Sequence, residues 1–242
     1  MTERIAGKLG RIPAPLPKKI KRLGDYLCSP FPPPPRQEDH TQGVKSWGML
    51  GNDTYGDCTI AGLVHLRMAD AVYAAEKETW PSTAKVVQAY LKLTGGQDDG
   101  LVLSSVLKSW QRSGILGDKV VGYAPLSTLS ATEVAQVIHA FVGVYAGVRI
   151  PAPAMDQFNA GQPWDLTGTA ADRQIEGGHC IPILGQDAKY AYAVTWGHVQ
   201  KITWRWWRTY IDEGWAVVTS ELQKASPGLV NLPLLLADLK KL

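Results

Sequence analysis

The chain has 242 residues, of which 45% are hydrophobic and 19% charged, a balance that is typical of a globular protein and excludes a disordered chain or a coiled coil. This length predicts one substantial domain. The formal charge is +3, but residues 1–22 hold seven basic side chains and one acidic one, so residues 23–242 carry a net charge of −3.

Residues 1–45 are predicted to form a basic, proline-rich N-terminal arm, followed by one domain over residues 46–242. The arm holds eight of the sixteen prolines, five of them within residues 30–35. Consecutive prolines lack backbone N–H donors and favour an extended polyproline conformation. Two interpretations stay open: the arm is an ordered strap or flexible tail of the domain, or its basic residues 1–22 dock onto an acidic or polyanionic partner.

The sequence argues against several classes of protein. No stretch approaches the roughly 20 apolar residues that a membrane-spanning helix requires, and the basic N-terminus lacks the apolar region of a secretory signal. The three cysteines, Cys28, Cys58 and Cys180, form no C-x-x-C pair, which disfavours a disulfide framework and a cysteine-bound zinc ion. We therefore expect no signal peptide, no membrane segment, no metal and no other cofactor.

The first part of the chain is predicted to be helical. A glycine-rich loop, residues 48–56, permits tight turns and positive φ. Asp57 is a good N-cap residue and predicts a helix through residues 58–77, whose many apolar residues indicate a buried, central position. Further helices are predicted at about 82–93, 103–112 and 131–141.

After Gly143 the periodicity changes to that of β-strands. Short apolar runs bounded by Gly, Asp or Pro cover residues 143–150, 179–185, 191–196, 199–204 and 214–219. Helices followed by an antiparallel sheet predict an α+β fold. The run TWRWWRTY, residues 203–210, is also predicted to be a strand, which either packs on the core or stacks nucleic-acid bases or sugars on its Arg and Trp side chains.

Cys58 is the first candidate for chemistry. It lies in the first turn of the predicted helix, where unpaired backbone N–H groups and the helix dipole stabilise a thiolate. Such positions lower a cysteine pKa to about 3.5–7.5, from roughly 8.5 in a free cysteine. Taken alone, however, a single cysteine is more often a small buried hydrophobic residue.

His179 and Asn52 are the candidate partners of Cys58. His179 follows Gly177 and Gly178 and opens a predicted strand, and an imidazole beside a thiol supplies a base. Asn52 lies six residues before Cys58, from where its amide can stabilise an oxyanion together with the backbone N–H of the helix start. Taken separately, His179 is equally consistent with a structural histidine in the core, and Asn52 with an asparagine in a turn.

The combination of three motifs resembles the papain-like cysteine peptidase superfamily. They are GNDTYGDC at residues 51–58, GGHCIPILG at 177–185 and AVTWG at 193–197. The resemblance implies a papain-like fold, in which the central Cys-bearing helix packs on a C-terminal antiparallel sheet. It implies Cys58 as the nucleophile, His179 as general base and acid, and Asn52 as oxyanion donor where the superfamily usually has Gln. More narrowly, the chain looks like uncharacterised actinobacterial and phage proteins with GNDxxGDC and GGH…TWG motifs.

Thr195 lies at a departure from the superfamily pattern. An Asn or Asp usually stands two residues before the tryptophan that matches Trp196 and orients the histidine, but that position is Val194 here. Either Thr195 or a backbone carbonyl orients His179, or the site is a Cys–His dyad, or it does not turn over. Asp187, in the predicted turn after the histidine strand, is a poor candidate for this role.

Two functions follow from the resemblance. The first is a papain-like cysteine peptidase or amidase with a Cys58–His179 dyad, acting on protein or peptide substrates of a virion, a host or a cell wall. The alternative is a catalytically inactive papain-like structural protein of a phage virion, docked onto other virion proteins through residues 1–22. Both imply a cytoplasmic or virion-associated protein without membrane contact, and the net negative charge of residues 23–242 argues against nucleic acid as a partner.

Overall fold

The computed structural model describes residues 4–75 and 80–242. The α-helices of these ranges are α1 (Cys58–Tyr73), α2 (Thr83–Leu93), α3 (Leu103–Arg112), α4 (Ala131–Phe141), α5 (Ala152–Asn159), α6 (Trp204–Tyr210), α7 (Ser220–Ala225) and α8 (Leu232–Leu239). The strands are β1 (Glu38–Asp39), β2 (Gly122–Pro125), β3 (Val144–Pro151), β4 (Ile175–Gln186), β5 (Tyr190–Thr195), β6 (His198–Thr203) and β7 (Ile211–Val218). The first helix ends before its predicted limit, and residues 76 and 77 lie outside the described ranges.

The strands form one antiparallel sheet in the order β2-β7-β3-β4-β5-β6, with β1 paired to β4. The long strand β4 lies near the middle of this order and pairs with β3, β5 and β1. The predicted α+β class is therefore confirmed, although β1 and β2 precede the predicted strands and α5 to α8 follow or interrupt them. Within the described ranges, every helix is too short or too polar to cross a membrane.

Helix α1 is the central helix, because 13 of its 16 residues are buried and it packs on β4. Gly62 permits the close approach: a Cβ there would lie 3.2 Å from Sγ of Cys180 in β4, tighter than an ordinary side-chain contact. At the start of the helix, the Tyr145 hydroxyl of β3 donates to the carbonyl oxygen of Thr59 at 2.7 Å. These contacts fix the first turn of α1 over the middle of the sheet.

The strand predicted for residues 203–210 is wrong, because Trp204–Tyr210 forms helix α6. Thr203 caps this helix by accepting from the backbone N–H of Trp206 at 3.3 Å. Trp206, Trp207 and Tyr210 are buried, at helical spacings that place them on one face. The tryptophans thus pack into the core, and a base-stacking surface of interleaved Arg and Trp is not formed.

The part of the N-terminal arm that is described, residues 4–45, lies along the domain. The Tyr26 hydroxyl donates to the Asp238 carboxylate at 2.9 Å, and Gln186 Nε2 in β4 donates to the carbonyl oxygen of Pro35 at 3.0 Å. The strand β1 within the arm also pairs with β4. The division of the chain at residue 45 stays a prediction.

Candidate active site

Cys58 is the first residue of α1, directly after Asp57 at the N-cap position, and only 1% of its surface is exposed. Burial raises the pKa of the Cys58 thiol to about 12, and the neighbouring backbone of Cys180 in β4 and of Gly10 in the N-terminal arm offsets only part of that effect. In this form of the protein, the sulfur is a protonated thiol at neutral pH.

His179 lies in β4 and is buried. Its Nε2 lies 2.7 Å from Oγ1 of Thr195, and its ring stacks on the indole of Trp196, with centroids 4.7 Å apart and planes inclined by 27°. The other nitrogen, Nδ1, has no hydrogen-bond partner among the described residues. When Nε2–H donates to Thr195, Nδ1 carries the lone pair that a general base requires.

Thr195 and Trp196 lie where β5 turns into β6. Trp196 and Gly197 form the two-residue turn with φ values of 45° and 74°, which is the conformation that two-residue hairpins favour. A positive φ is unfavourable for a bulky residue. Trp196 nevertheless adopts one, and its indole stacks on the imidazole of His179. A Cβ at Gly197 would lie 3.2 Å from the backbone of Gly48, so glycine lets this turn approach the glycine-rich loop.

Asn52 lies in the glycine-rich loop and is buried. Its Nδ2 donates to the carbonyl oxygens of Lys8 at 3.1 Å and Tyr55 at 3.0 Å. Trp196 Nε1 donates to the same Lys8 oxygen at 3.4 Å. The amide that the sequence predicts as an oxyanion donor therefore binds a main-chain carbonyl of the N-terminal arm.

Residues 4–12, called the cleft segment below, run between the glycine-rich loop and β4. Four backbone hydrogen bonds fix them: Lys8 N to Asn52 O at 2.6 Å, Leu101 N to Gly10 O at 2.9 Å, Arg11 N to Gly178 O at 3.1 Å and Ile12 N to Leu101 O at 2.9 Å. The bonds reach the loop, β4 and the segment before α3. The cleft segment thus covers the start of α1 and the residue before His179.

Glycines on both sides allow this passage. A Cβ at Gly10 would lie 1.7 Å from the carbonyl oxygen of Gly56, and one at Gly178 would lie 2.3 Å from that of Arg11. Neither distance is possible for real atoms, so any side chain at these positions would displace the cleft segment. Gly178, the residue before His179, thus allows the backbone of Arg11 to approach β4 closely.

Arg11 anchors the cleft segment in a buried pocket. Its Nε and Nη2 donate to Oε1 of Glu213 at 3.1 and 2.9 Å, and its Nη1 donates to Oδ2 of Asp212 at 2.6 Å. The arginine is 4% exposed. Burial by itself lowers the pKa of Arg11, but the two carboxylates raise it above the ordinary value. Nothing in the local sequence indicated this ion pair, since its partners are about 200 residues apart.

The candidate acid–base groups are neutral in this covered form. Burial lowers the pKa of His179 to about 3, so the imidazole and the Cys58 thiol are both uncharged at neutral pH. Asp57, next to Cys58, is also buried, and burial raises the pKa of its carboxyl to about 8. All three groups are therefore uncharged or largely protonated at neutral pH as long as they stay buried.

The remaining polar candidates lie elsewhere. Asp187 accepts from the backbone N–H groups of Lys189 and Tyr190, both at 2.7 Å, within the β4–β5 turn. Nε2 of His65, which lies seven residues after Cys58 in α1, is 3.0 Å from the carbonyl oxygen of Trp47. No group of three or more His, Cys, Asp or Glu side chains in the described ranges is arranged to hold a metal ion.

Solved structures with a similar fold are cysteine proteases. Xylellain, a cysteine protease from Xylella fastidiosa, has a TM-score of 0.65 at 11% identity, covering 90% of this chain and 98% of that one. Procathepsin L 3 of the Tenebrio molitor larval midgut has a TM-score of 0.58 at 13% identity, covering 89% and 76%. The Carica candamarcensis cysteine protease CMS1MS2 has a TM-score of 0.54 at 12% identity, covering 76% and 99%.

No family model and no curated protein sequence matches the chain. The narrower likeness to actinobacterial and phage proteins stays a prediction. Identities of 11% to 13% establish the fold alone, and the Cys-bearing helix on the antiparallel sheet agrees with it. The chain therefore has the papain-like cysteine protease fold.

Proposed function

We propose that this chain is a papain-like cysteine peptidase or amidase in a covered, resting form. Cys58 is the nucleophile, His179 the general base and acid, Asn52 an oxyanion donor and Thr195 the residue that orients the imidazole. One observation carries the proposal: the imidazole of His179 is held through Nε2 by Thr195 while Nδ1 stays open. A general base requires such an open nitrogen on an imidazole that a second group holds in place.

The reaction begins when the cleft segment has left. Nδ1 of His179 takes the proton of Cys58, and the sulfur attacks the carbonyl carbon of the substrate amide. The oxyanion that forms accepts hydrogen bonds from Nδ2 of Asn52 and the backbone N–H of Cys58. His179 then gives its proton to the leaving amine, and the C–N bond breaks to leave a thioester. Water activated by His179 hydrolyses the thioester and restores the thiol.

Thr195 supports the base in this scheme. Its hydroxyl accepts Nε2–H in the tautomer with a free Nδ1 and so holds the ring, the part that an Asn or Asp usually plays in the superfamily. Trp196 covers this hydrogen bond by stacking on the ring. Shielding from water strengthens a hydrogen bond between polar groups.

The cleft segment makes this form inactive. Gly10 packs against the backbone of Gly56, two residues before the nucleophile, and the Lys8 carbonyl oxygen accepts a hydrogen bond from Nδ2 of Asn52. The burial it provides keeps thiol and imidazole uncharged. Substrates are proposed to be proteins or peptides of a virion, a host or a cell wall, and the site of action the cytoplasm or the virion.

A second candidate is a papain-like structural protein without turnover, carried on a phage virion by its N-terminal arm. The absence of an Asn or Asp in the orienting position favours it, as does the covered site. In that case residues 1–22 contact other virion proteins, whereas in the first case the cleft segment moves to admit substrate.

Hydrolysis of a casein and peptidoglycan panel distinguishes these candidates. The test compares the native chain, the Arg11→Ala variant, which loses the buried anchor, and Arg11→Ala with Cys58→Ala. We expect hydrolysis by Arg11→Ala to exceed that of the native chain and to vanish with Cys58→Ala. Equal, null activity in all three folded proteins would instead favour the structural protein.

A further inference from the structure

The pocket that holds Arg11 is adjacent to both proposed catalytic residues. The preceding residue, Gly10, packs against the backbone two residues before Cys58, since a Cβ at Gly10 would lie 1.7 Å from the carbonyl oxygen of Gly56. The backbone N–H of Arg11 itself donates to the carbonyl oxygen of Gly178, the neighbour of His179. A peptide that passes the nucleophile along this path places one side chain in this pocket.

Two carboxylates and a glycine shape the pocket. Glu213 and Asp212 of β7 hold the guanidinium from two directions. Gly147 of β3 provides the space for the guanidinium, because a Cβ there would lie 2.4 Å from Nε of Arg11. The pocket therefore accepts a long cationic side chain, and a side chain at position 147 would exclude it.

Other residues hold the carboxylates without help from Arg11. Oε2 of Glu213 accepts from Trp215 Nε1 at 2.8 Å, and Oδ1 of Asp212 accepts from Arg149 Nε at 3.1 Å. Both anchors belong to the sheet and not to the cleft segment, so these two hydrogen bonds do not depend on Arg11. Glu213 is 5% exposed, and a buried carboxylate without a cation is unfavourable.

We propose that this pocket selects substrates with an arginine side chain next to the cleaved region, an inference that rests on the proposed peptidase function. Arginine fits better than lysine, because three nitrogens of one planar group reach the carboxylates of both acids, whereas an ammonium is a single point charge. Neutral side chains leave Oε1 of Glu213 and Oδ2 of Asp212 without the guanidinium that they bind, and a site built for hydrogen bonding rejects such ligands by factors of about 100 or more.

A binding experiment tests the pocket without catalysis. A fluorescent peptide of residues 4–14 is titrated into the full-length Arg11→Ala, Cys58→Ala variant and followed by anisotropy, together with peptides that carry Lys, citrulline or Ala at position 11. We expect the arginine peptide to bind at least about 100-fold more tightly than the citrulline and alanine peptides, with lysine between them. Equal binding of all four peptides, or binding of none, overturns the proposal.

Two pocket variants check that the carboxylates cause the preference. Glu213→Gln keeps a partner for Trp215 but removes the charge, and Gly147→Ala fills the space of the guanidinium. Placed in the same background, with folding verified by thermal unfolding, both are expected to bring arginine and citrulline peptides to similar affinity. A full arginine preference in both folded variants overturns the assignment of this pocket.

A cleavage experiment then separates the selectivity from the activity. The Arg11→Ala chain is given a library of peptides in which one arginine is moved along an otherwise neutral sequence. We expect cleavage at a fixed distance from the arginine. Cleavage that ignores arginine overturns the selectivity and leaves the peptidase proposal intact. Arginine-selective binding with no cleavage overturns the peptidase proposal and leaves the pocket as a binding site.

Discussion

Nε2 of His179 lies 2.7 Å from the hydroxyl oxygen of Thr195, sixteen residues away on the next strand. The hydrogen bond joins β4 to the end of β5, and Trp196 of the following turn stacks on the imidazole. The hydroxyl that contacts the imidazole thus comes from Thr195 and not from position 194, where the superfamily pattern leads one to expect Asn or Asp. The other ring nitrogen, Nδ1, has no hydrogen-bond partner among the described residues.

Replacing Thr195 by Val is expected to lower kcat/KM by about 10- to 100-fold, mostly through kcat, because the imidazole loses the hydroxyl that holds it through Nε2. The measurement is steady-state hydrolysis in the Arg11→Ala background. Thr195→Ser is the matched control, since it keeps the hydroxyl and should retain most of the activity. If the valine variant hydrolyses as fast as the serine variant, Thr195 does not orient His179.

Alkylation of Cys58 by iodoacetamide should be very slow in the native chain below about pH 9, since burial raises the pKa of the thiol to about 12. In Arg11→Ala we expect a thiolate at neutral pH, because water and the helix N-terminus then stabilise the charge. Peptide mass spectrometry against pH resolves each cysteine separately. The exposed Cys28 is the internal control and should react alike in both proteins. Equal reactivity of Cys58 in both would contradict a role for the cleft segment in silencing the thiol.

Gly10→Ala is expected to expel the cleft segment, because the added methyl group would lie 1.7 Å from a backbone oxygen of Gly56. Trypsin should then cleave after Lys8 and Arg11 at least about 10-fold faster, since protection reflects local opening, and hydrolysis of casein should rise. Gly24→Ala is the control, because its Cβ would meet Ser127 at an ordinary 3.5 Å. Unchanged protection and activity in the Gly10 variant would mean that the segment adapts in place.

Asp57→Asn should raise the free energy of unfolding at pH 8 and leave it nearly unchanged at pH 4. Burial raises the pKa of the Asp57 carboxyl to about 8 from 3.8, so the folded state keeps a proton that the unfolded state releases as pH rises above about 4. Stability is then lost by up to about 1.4 kcal/mol for each pH unit between those values. The asparagine variant avoids this loss.

Urea denaturation at both pH values measures this difference. Asp53→Asn is the control, since Asp53 lies exposed in the same loop and its substitution should change stability by less than about 0.5 kcal/mol. The buried His65 and His179 titrate in the native chain and in both variants, so their effect cancels in the comparison. A variant no more stable than the native chain at pH 8 would show that Asp57 is ionised when folded.

The sequence predicted the elements that carry the candidate site. Asp57 followed by an apolar run indicated a helix whose first residue is Cys58, and the change of period after Gly143 indicated the sheet that holds His179. Helices α2, α3 and α4 begin and end within a residue or so of their predicted limits. The strand predicted for residues 203–210 was wrong, because alternating polar and aromatic residues are compatible with a strand and with a helix. The chain forms a helix there, capped by the side chain of Thr203.

By itself, then, the sequence determined the α+β class, the central helix and which residues are candidates for chemistry, because those depend on local backbone preferences and hydrophobic periodicity. Only the tertiary structure decided that Thr195 contacts His179, that the Asn52 amide donates to the Lys8 carbonyl oxygen, and that Arg11 is buried against Glu213. The last two residues are 202 positions apart. No local preference encodes such a contact, since it exists only when the packing of the whole sheet brings β7 to the start of the chain.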